Sequence, residues 1–148
     1  MPESRLTTRQ RQQVMARAPG CCEYCYTQAR FSADPLVVEH ILPRSLGGRT
    51  ESSNLAAACM GCNGHKYNRT QAIDPLTLQP EPLFHPRRQA WHAHFAWNED
   101  CSLILGLTPT GRATVEALHL NRPGLITVRR LLYAAGEHPP VFDEGAMP

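Results

Sequence analysis

The chain has 148 residues, 42% of them apolar, and a formal net charge of +2. This length suits one domain with a core and hardly two. It contains no apolar run near the roughly 20 residues that cross a bilayer, and its polar N-terminus lacks the apolar core of a signal peptide. We therefore exclude a membrane-spanning protein and expect a cytoplasmic one. The slight positive charge suits a nucleic-acid partner without requiring it.

The first half of the chain predicts three helices and one strand. Residues 6–18 are rich in helix formers, Thr7 or Thr8 can cap them, and Pro19-Gly20 ends the helix. The segment 33–42 contains "LVVEHIL", a β-rich stretch that is followed by a glycine-containing loop. We then expect a short helix over "NLAAAC" and a second helix from Cys62 to about Arg69.

The second half predicts more short elements. Residues 73–82 are rich in turns, residues 87–95 predict a helix, and "SLILGL" predicts a strand. Two further helices are expected over "TGRATVEALHL" and "GLITVRRLLYAAG", the last ended by Gly136. We therefore expect a mixture of helices and short strands.

Cysteines occur at the spacing of metal ligands. Cys22 and Cys25 form one C-x2-C pair, and Cys59 and Cys62 form a second. Cytoplasmic thiols stay reduced, so a tetrahedral structural zinc site is a better interpretation than disulfides. A pairing of Cys21 with Cys25 stays open as an alternative. Because four cysteines close the coordination shell of zinc, any chemistry must use other residues.

The long segment between the two pairs holds a possible catalytic group. Glu39 and His40 are adjacent at the end of the predicted strand. A carboxylate is a ligand for Mg²⁺ or Mn²⁺, and an imidazole can take a proton from water near neutral pH. Asn54 could hydrogen-bond across the loop and fix the imidazole, and Asn63 follows Cys62 directly. Together these residues suit phosphodiester hydrolysis.

The order of these residues resembles that of a known family. "EHILP", "GG", "NL" and "CNGHK" follow one another between Cys22 and Lys66 as they do in the zinc-stapled bacterial branch of the HNH endonucleases. The C-terminal "LFHPR" and "LTPTGRATV" also resemble an extension of small bacterial HNH proteins.

The resemblance implies an α+β fold with a ββα-metal core, a treble-clef-like zinc site, an N-terminal helix and a C-terminal extension of helices and strands. It implies one HNH domain over residues 1–135, with its core at about 20–70 and the extension at about 73–135. Residues 136–148 contain Pro139-Pro140 and several small residues, and we expect them to form a flexible tail. His40 would be the general base and Asn54 would orient it. Glu39 and Asn63 would bind the catalytic divalent ion, Mg²⁺ or Mn²⁺. The structural zinc ligands would be Cys22, Cys25, Cys59 and Cys62.

Double-stranded DNA is the expected substrate. Four basic residues near the site are expected to contact its phosphates: Arg44, Arg49, Lys66 and Arg69.

The sequence departs from the family pattern at two positions. Asn63 is a weaker metal ligand than histidine, and Tyr67 stands where many relatives have glycine. His65 is a further candidate ligand. A degenerate HNH fold or a zinc-ribbon module that binds nucleic acid without cutting it is therefore the alternative.

Overall fold

Short helices and three two-stranded sheets alternate along the chain in the computed structural model, which describes residues 5–141. The helices are α1 (Thr8–Arg17), α2 (Met60–Lys66), α3 (Trp91–His94), α4 (Pro109–Ala117) and α5 (Pro123–Ala134). The strands are β1 (Val37–His40), β2 (Leu55–Ala58), β3 (Gln71–Ile73), β4 (Pro80–Pro82), β5 (Phe95–Trp97) and β6 (Ile104–Gly106). The expected mixture of helices and small sheets is confirmed.

The N-terminal helix begins where its capping residues predict. The Thr7 hydroxyl accepts a hydrogen bond from the Gln10 amide, and the Gln10 side chain accepts one from the Thr7 amide, so both ends of a capping box are present. Val14 faces inward and packs with Leu55 and Ala57 of β2. This contact places α1 against the sheet that carries Glu39 and His40.

The 41–54 loop, which joins β1 to β2, is also fastened to α1 by hydrogen bonds. The Gln10 side-chain amide donates to the Thr50 carbonyl at 3.0 Å. The Arg17 guanidinium donates to the Ser52 carbonyl at 3.1 Å and to the Leu55 carbonyl at 3.1 Å. The first helix therefore supports the loop at two backbone positions and the start of β2 at a third.

The helix predicted over "NLAAAC" is wrong, because Leu55–Ala58 form strand β2. This strand pairs antiparallel with β1, with Glu39 opposite Ala56. The backbone of Ala57 is bound on its other side by Glu23, whose amide donates to the Ala57 carbonyl at 2.9 Å and whose carboxylate accepts from the Ala57 amide at 2.7 Å. All four side chains of β2 are buried. Pairing and burial override the helix propensity of alanine here.

Helix α2 follows β2 almost directly and is shorter than expected. It begins at Met60, with Cys59 as its N-cap, and ends at Lys66 instead of near Arg69. Tyr67 has a φ of 51°, which is incompatible with continuing the helix. Cys59 directly follows Ala58, which pairs with Val37, so the second cysteine pair lies near the start of β1.

The helix predicted over residues 87–95 is wrong except for one turn. Only Trp91–His94 are helical, because Phe95 begins β5 and pairs with Gly106 of β6. The expected strand and the two expected C-terminal helices are confirmed by β6, α4 and α5.

The C-terminal half packs onto the cysteine-bearing half through one aromatic core. Trp91, Phe95 and Phe84 are buried in the same cluster as Tyr24. The Trp91 indole N–H donates to the Tyr24 carbonyl at 2.9 Å. The predicted extension is thus joined to the predicted core by buried contacts.

The predicted division into a domain and a tail stays a prediction. Residues 142–148 of that tail lie outside the described residues. Before them, Glu137 forms an ion pair with Arg30 at 2.7 Å, and His138 Nε2 lies 2.8 Å from the Cys101 carbonyl oxygen. Between residues 5 and 141, no helix is long and apolar enough to cross a membrane.

Candidate metal centre and active site

Four buried sulfurs from two separate segments of the chain lie close together. The Sγ atoms of Cys22, Cys25, Cys59 and Cys62 all lie within 4.8 Å of one another. The first pair sits on a tight turn in which the Tyr26 amide donates to the Cys22 carbonyl at 3.0 Å. The second pair begins helix α2. Two turns that are distant in sequence thus bring their four thiols together.

The arrangement of these sulfurs fits a zinc ion. Zinc–sulfur bonds of about 2.3 Å in a tetrahedron require sulfurs roughly 3.8 Å apart, and the Sγ atoms of Cys25 and Cys59 are 3.6 Å apart. Burial raises the pKa of the Cys22 thiol, whereas hydrogen bonds from the other three thiols lower the pKa of Cys59. Zinc would bind the four as thiolates and release their remaining protons.

The other two cysteines lie outside this cluster. Cys21 Sγ points to the Pro19 carbonyl oxygen at 3.6 Å, so Cys22 and not Cys21 belongs to the first pair. Cys101 lies in the β5–β6 turn with a φ of 57°. The structure thus selects the C-x2-C pairing from the two that the sequence leaves open.

Glu39 points into the protein interior, where its carboxylate already has two partners. It is only 4% exposed. One oxygen accepts a hydrogen bond from the Tyr24 hydroxyl, and the other lies 3.3 Å from the Lys66 ammonium nitrogen. Burial raises the pKa of Glu39, although Lys66 and Tyr24 both oppose the rise. A divalent ion would therefore compete with Tyr24 and Lys66 for this carboxylate.

Lys66 lies inside the protein and not on the surface that was expected to contact DNA. It is 1% exposed, and its ammonium also donates to the Ile41 carbonyl at 2.8 Å. A buried ammonium requires such partners, because removing a charge from water is costly. Lys66 therefore connects α2 to β1 and to the start of the 41–54 loop.

His40 ends β1 on the opposite side of the strand from Glu39 and is half-buried. Its Nε2 lies 2.8 Å from the Thr50 hydroxyl oxygen. Since Thr50 belongs to the 41–54 loop, the orientation of the imidazole depends on the fold of that loop.

Asn54 crosses the loop as expected, but the partners of its amide are backbone atoms. Its oxygen accepts from the Leu42 amide at 2.8 Å, and its nitrogen donates to the carbonyls of Leu42 and Arg49 at 3.0 and 2.9 Å. Gly48 also approaches Leu42 so closely that a Cβ at position 48 would lie 1.7 Å from the Leu42 oxygen. Asn54 therefore closes the loop next to Thr50, the partner of His40.

The remaining expected site residues lie on or near α2 and the loop. Asn63 is half-buried in the first turns of α2, and His65 is exposed and stacked on His119 with ring centroids 4.3 Å apart. Arg69 is exposed and donates to the His65 and Ala117 carbonyls at 2.6 and 2.9 Å. Arg44 and Arg49 are exposed on the loop.

A cavity of about 530 Å³ opens between this loop and the C-terminal half. Its wall includes Asn54 and Lys66, and Arg49, His85 and Arg88 also line it. The carboxylate of Glu51 belongs to the lining as well. Positive groups therefore outnumber the negative one around an opening beside the 41–54 loop.

The comparison with known protein families covers the segment that holds these groups. Residues 22–73 match the HNH endonuclease family. The match takes in both cysteine pairs, His40, Asn54 and Asn63, and it confirms the resemblance predicted from the sequence. Outside it lie α1 and everything after residue 73, about two thirds of the chain. No curated protein and no solved structure matches the chain.

Within the HNH segment, sequence reasoning missed two partners of the expected residues. Tyr24 binds Glu39, and Thr50 binds His40. Tyr24 stands between Cys22 and Cys25, where a tyrosine gives no signal of its own. Thr50 lies ten residues after its partner in a loop whose path the sequence does not predict.

Proposed function

We propose that this protein is a metal-dependent endonuclease that hydrolyses phosphodiester bonds of double-stranded DNA in the cytoplasm, with a structural zinc ion in its four-cysteine site. Strands β1 and β2 and helix α2 would form its ββα-metal core. The observation that carries the proposal is the position of His40. It ends a strand of the HNH segment, remains partly accessible, and is oriented by a hydroxyl from a closed loop.

His40 acts as the general base in this proposal. Its imidazole takes a proton from a water molecule, and the resulting hydroxide attacks the phosphorus opposite the O3′ atom. The P–O3′ bond breaks, which leaves a 5′-phosphate and a 3′-oxygen that is then protonated. Thr50 orients the ring during this step, and Asn54 keeps Thr50 in place through the backbone of Leu42 and Arg49.

The catalytic ion would be Mg²⁺ or Mn²⁺, bound by oxygen atoms of Asn63 and Glu39. Oxygen donors fit these ions, and the ion would supply charge stabilisation at the departing oxygen. The Asn63 side chain is partly accessible. Glu39 fits less well, because Tyr24 and Lys66 occupy its carboxylate.

The proposed DNA surface follows the loop and the end of α2. Arg44, Arg49 and Arg69 are exposed there and can contact phosphates, and Arg88 extends this surface around the cavity. Lys66 supports the surface from inside by holding Glu39 and the Ile41 carbonyl. Affinity from phosphate contacts should fall steeply as the salt concentration rises.

One observation favours the alternative of DNA binding without cleavage. The carboxylate expected to bind the catalytic ion is buried and paired with a lysine, as in a structural ion pair. In that case the arginines of the loop would still bind phosphates, and His40 would have no catalytic role.

A plasmid-nicking assay with the zinc-loaded protein separates the two functions. Supercoiled DNA is incubated with Mg²⁺ or with Mn²⁺, beside a sample that also contains EDTA, and binding is measured by gel shift. We expect cleavage that requires the added ion. Binding without cleavage under every condition would establish the alternative, and the absence of both would reject both functions.

The variant His40→Ala tests the mechanism. Loss of the general base should lower the nicking rate by at least about 100-fold, with zinc content and melting temperature unchanged. The exposed His92 provides the matched control, so His92→Ala should cut like the wild type. A fully active His40→Ala protein would end this mechanism.

A further inference from the structure

A guanidinium from the C-terminal half lies against the four-cysteine cluster. Arg122 Nη2 donates to Cys59 Sγ at 3.3 Å, and Nη1 lies 3.7 Å from Cys62 Sγ. Nη1 also donates to the His119 carbonyl at 3.1 Å. Arg122 is the N-cap residue of α5 and lies well beyond the HNH segment. It therefore approaches the sulfurs from an element that the family match does not include.

The backbone around Arg122 holds it in this place. Its amide donates to the His119 carbonyl at 3.1 Å, and its own carbonyl accepts from Leu125 at 3.0 Å and Ile126 at 3.2 Å. Pro123 follows and begins the helix. The side chain thus starts from a well-defined turn between α4 and α5.

The second cysteine pair leaves room for this guanidinium at Gly61. A Cβ added to Gly61 would lie 2.4 Å from Arg122 Nη2 and 2.8 Å from its Cζ, which is too close. The φ of Gly61 is not in the left-handed region, and the residue lies inside α2, where alanine is the better helix former. Space for Arg122, and not backbone conformation, is therefore the reason for a glycine between Cys59 and Cys62.

The contact between Arg122 and the sulfurs offsets negative charge at the metal site. Four thiolates and one Zn²⁺ carry a net charge of about −2, and this charge would be buried. A fixed guanidinium that donates to two of the sulfurs offsets part of that charge, and partners outside the ligand shell commonly change metal affinity by about 10- to 100-fold.

We infer that Arg122 is a positioning residue of the zinc site, which retains the metal by N–H···S contacts and makes zinc retention depend on the C-terminal extension. This inference concerns the metal site only, so it can fail or hold whether or not the protein cuts DNA.

Zinc release from the full-length protein tests the inference. The zinc-loaded protein is mixed with an excess of the chromogenic chelator 4-(2-pyridylazo)resorcinol, and the release rate is followed by absorbance. We expect Arg122→Met to release zinc about 10-fold faster than the wild type. Arg130→Met is the matched control, because Arg130 is an exposed arginine on the same helix. Equal rates for the wild type and both variants would overturn the inference.

The variant Gly61→Ala tests the same contact with Arg122 intact. Its methyl group should displace the guanidinium and speed zinc release, but it should change nothing further in a chain that already carries Arg122→Met. If Gly61→Ala has the same effect with and without Arg122, the glycine does not serve this contact. This double-variant comparison decides the question even if Arg122→Met alone binds zinc poorly.

Cobalt spectra add a readout that a general loss of stability would not move. With Co²⁺ in the four-cysteine site, the thiolate-to-cobalt absorption bands should shift in Arg122→Met and Gly61→Ala, because two sulfurs lose a hydrogen-bond donor. The bands should stay in place in Arg130→Met. Unchanged bands in all three variants would also contradict the inference.

Discussion

At the scale of single residues, Asn54 is the group on which the 41–54 loop depends. Its side chain is nearly buried and makes three hydrogen bonds to the backbone of Leu42 and Arg49. No other side chain type places a donor and an acceptor in the same way at this length. The amide thus acts on His40 through the loop that carries Thr50.

The variant Asn54→Ala should destabilise the protein by about 1–3 kcal/mol, because backbone groups of the loop lose their partners. It should also slow DNA cleavage, since Thr50 would no longer hold the imidazole in one orientation. Urea unfolding and the nicking assay measure the two effects. Asn68→Ala changes an exposed asparagine just after α2 and is the control. An Asn54→Ala protein with wild-type stability would contradict this role.

Residue patterns predicted some of these positions and not others. The two C-x2-C pairs identified the metal cluster because that spacing places both thiols on one turn. Lys66 was expected to contact DNA because it is basic and close in sequence to the site, and lysine is almost never fully buried unless it is paired. Its partner, Glu39, lies 27 positions earlier, and only the pairing of β1 with β2 and the position of α2 bring the two together.

At the scale of elements, the salt bridge between Asp74 and Arg112 joins the β3–β4 hairpin to α4. Arg112 Nε and Nη2 donate to the two carboxylate oxygens at 2.9 Å each. Leu76 and Thr77 donate to the same carboxylate. The bonds from Arg112 hold the pKa of Asp74 well below its usual range.

A lowered pKa in the folded protein means that Asp74 stabilises the fold above the unfolded pKa of about 3.9, and that this contribution is lost as the pH falls below it. Asp74→Asn should therefore melt at a lower temperature than the wild type at pH 7, and the difference should shrink toward pH 3. Thermal melts from pH 3 to pH 7 measure this. Glu116→Gln, at an exposed position of α4, should show no such trend. A pH-independent difference would refute the assignment.

Elements with a clear periodic pattern or cap were predicted well, and short apolar ones were not. Helix α1 has a capping box, and α4 has Thr108 before Pro109, so both begin close to the predicted positions. The run Leu55–Ala58 has no alternation, Ser52 or Ser53 could start a helix before it, and alanine favours helix. Its true partner, β1, could not be identified from the run itself.

At the scale of the whole molecule, zinc would join two segments that are distant in sequence. The cluster lies between the turn at Cys22–Cys25 and the start of α2, and the aromatic core around Tyr24 and Trp91 adjoins it. Structural zinc in small domains contributes about 10–16 kcal/mol of binding energy to folding. That is comparable to or larger than the whole stability of a typical domain.

The variant Cys59→Ser should therefore lose the cooperative thermal transition and most of its bound zinc. Treating the wild type with a strong chelator should give the same state. Cys101→Ser, outside the cluster, should keep both zinc and the transition. Circular dichroism melts and zinc analysis by mass spectrometry provide the measurement. If Cys59→Ser melts like the wild type, the cluster is not a structural zinc site.

Helix α1 contains no zinc ligand and no candidate catalytic residue. Its Gln10 and Arg17 side chains nevertheless donate hydrogen bonds to the backbone carbonyls of residues 50, 52 and 55. A shortened protein that started at Cys22 would keep the four clustered cysteines and every candidate catalytic side chain. It would lose the hydrogen bonds by which α1 supports the 41–54 loop. The shortest fragment that keeps the 41–54 loop supported is therefore longer than the segment that matches the family.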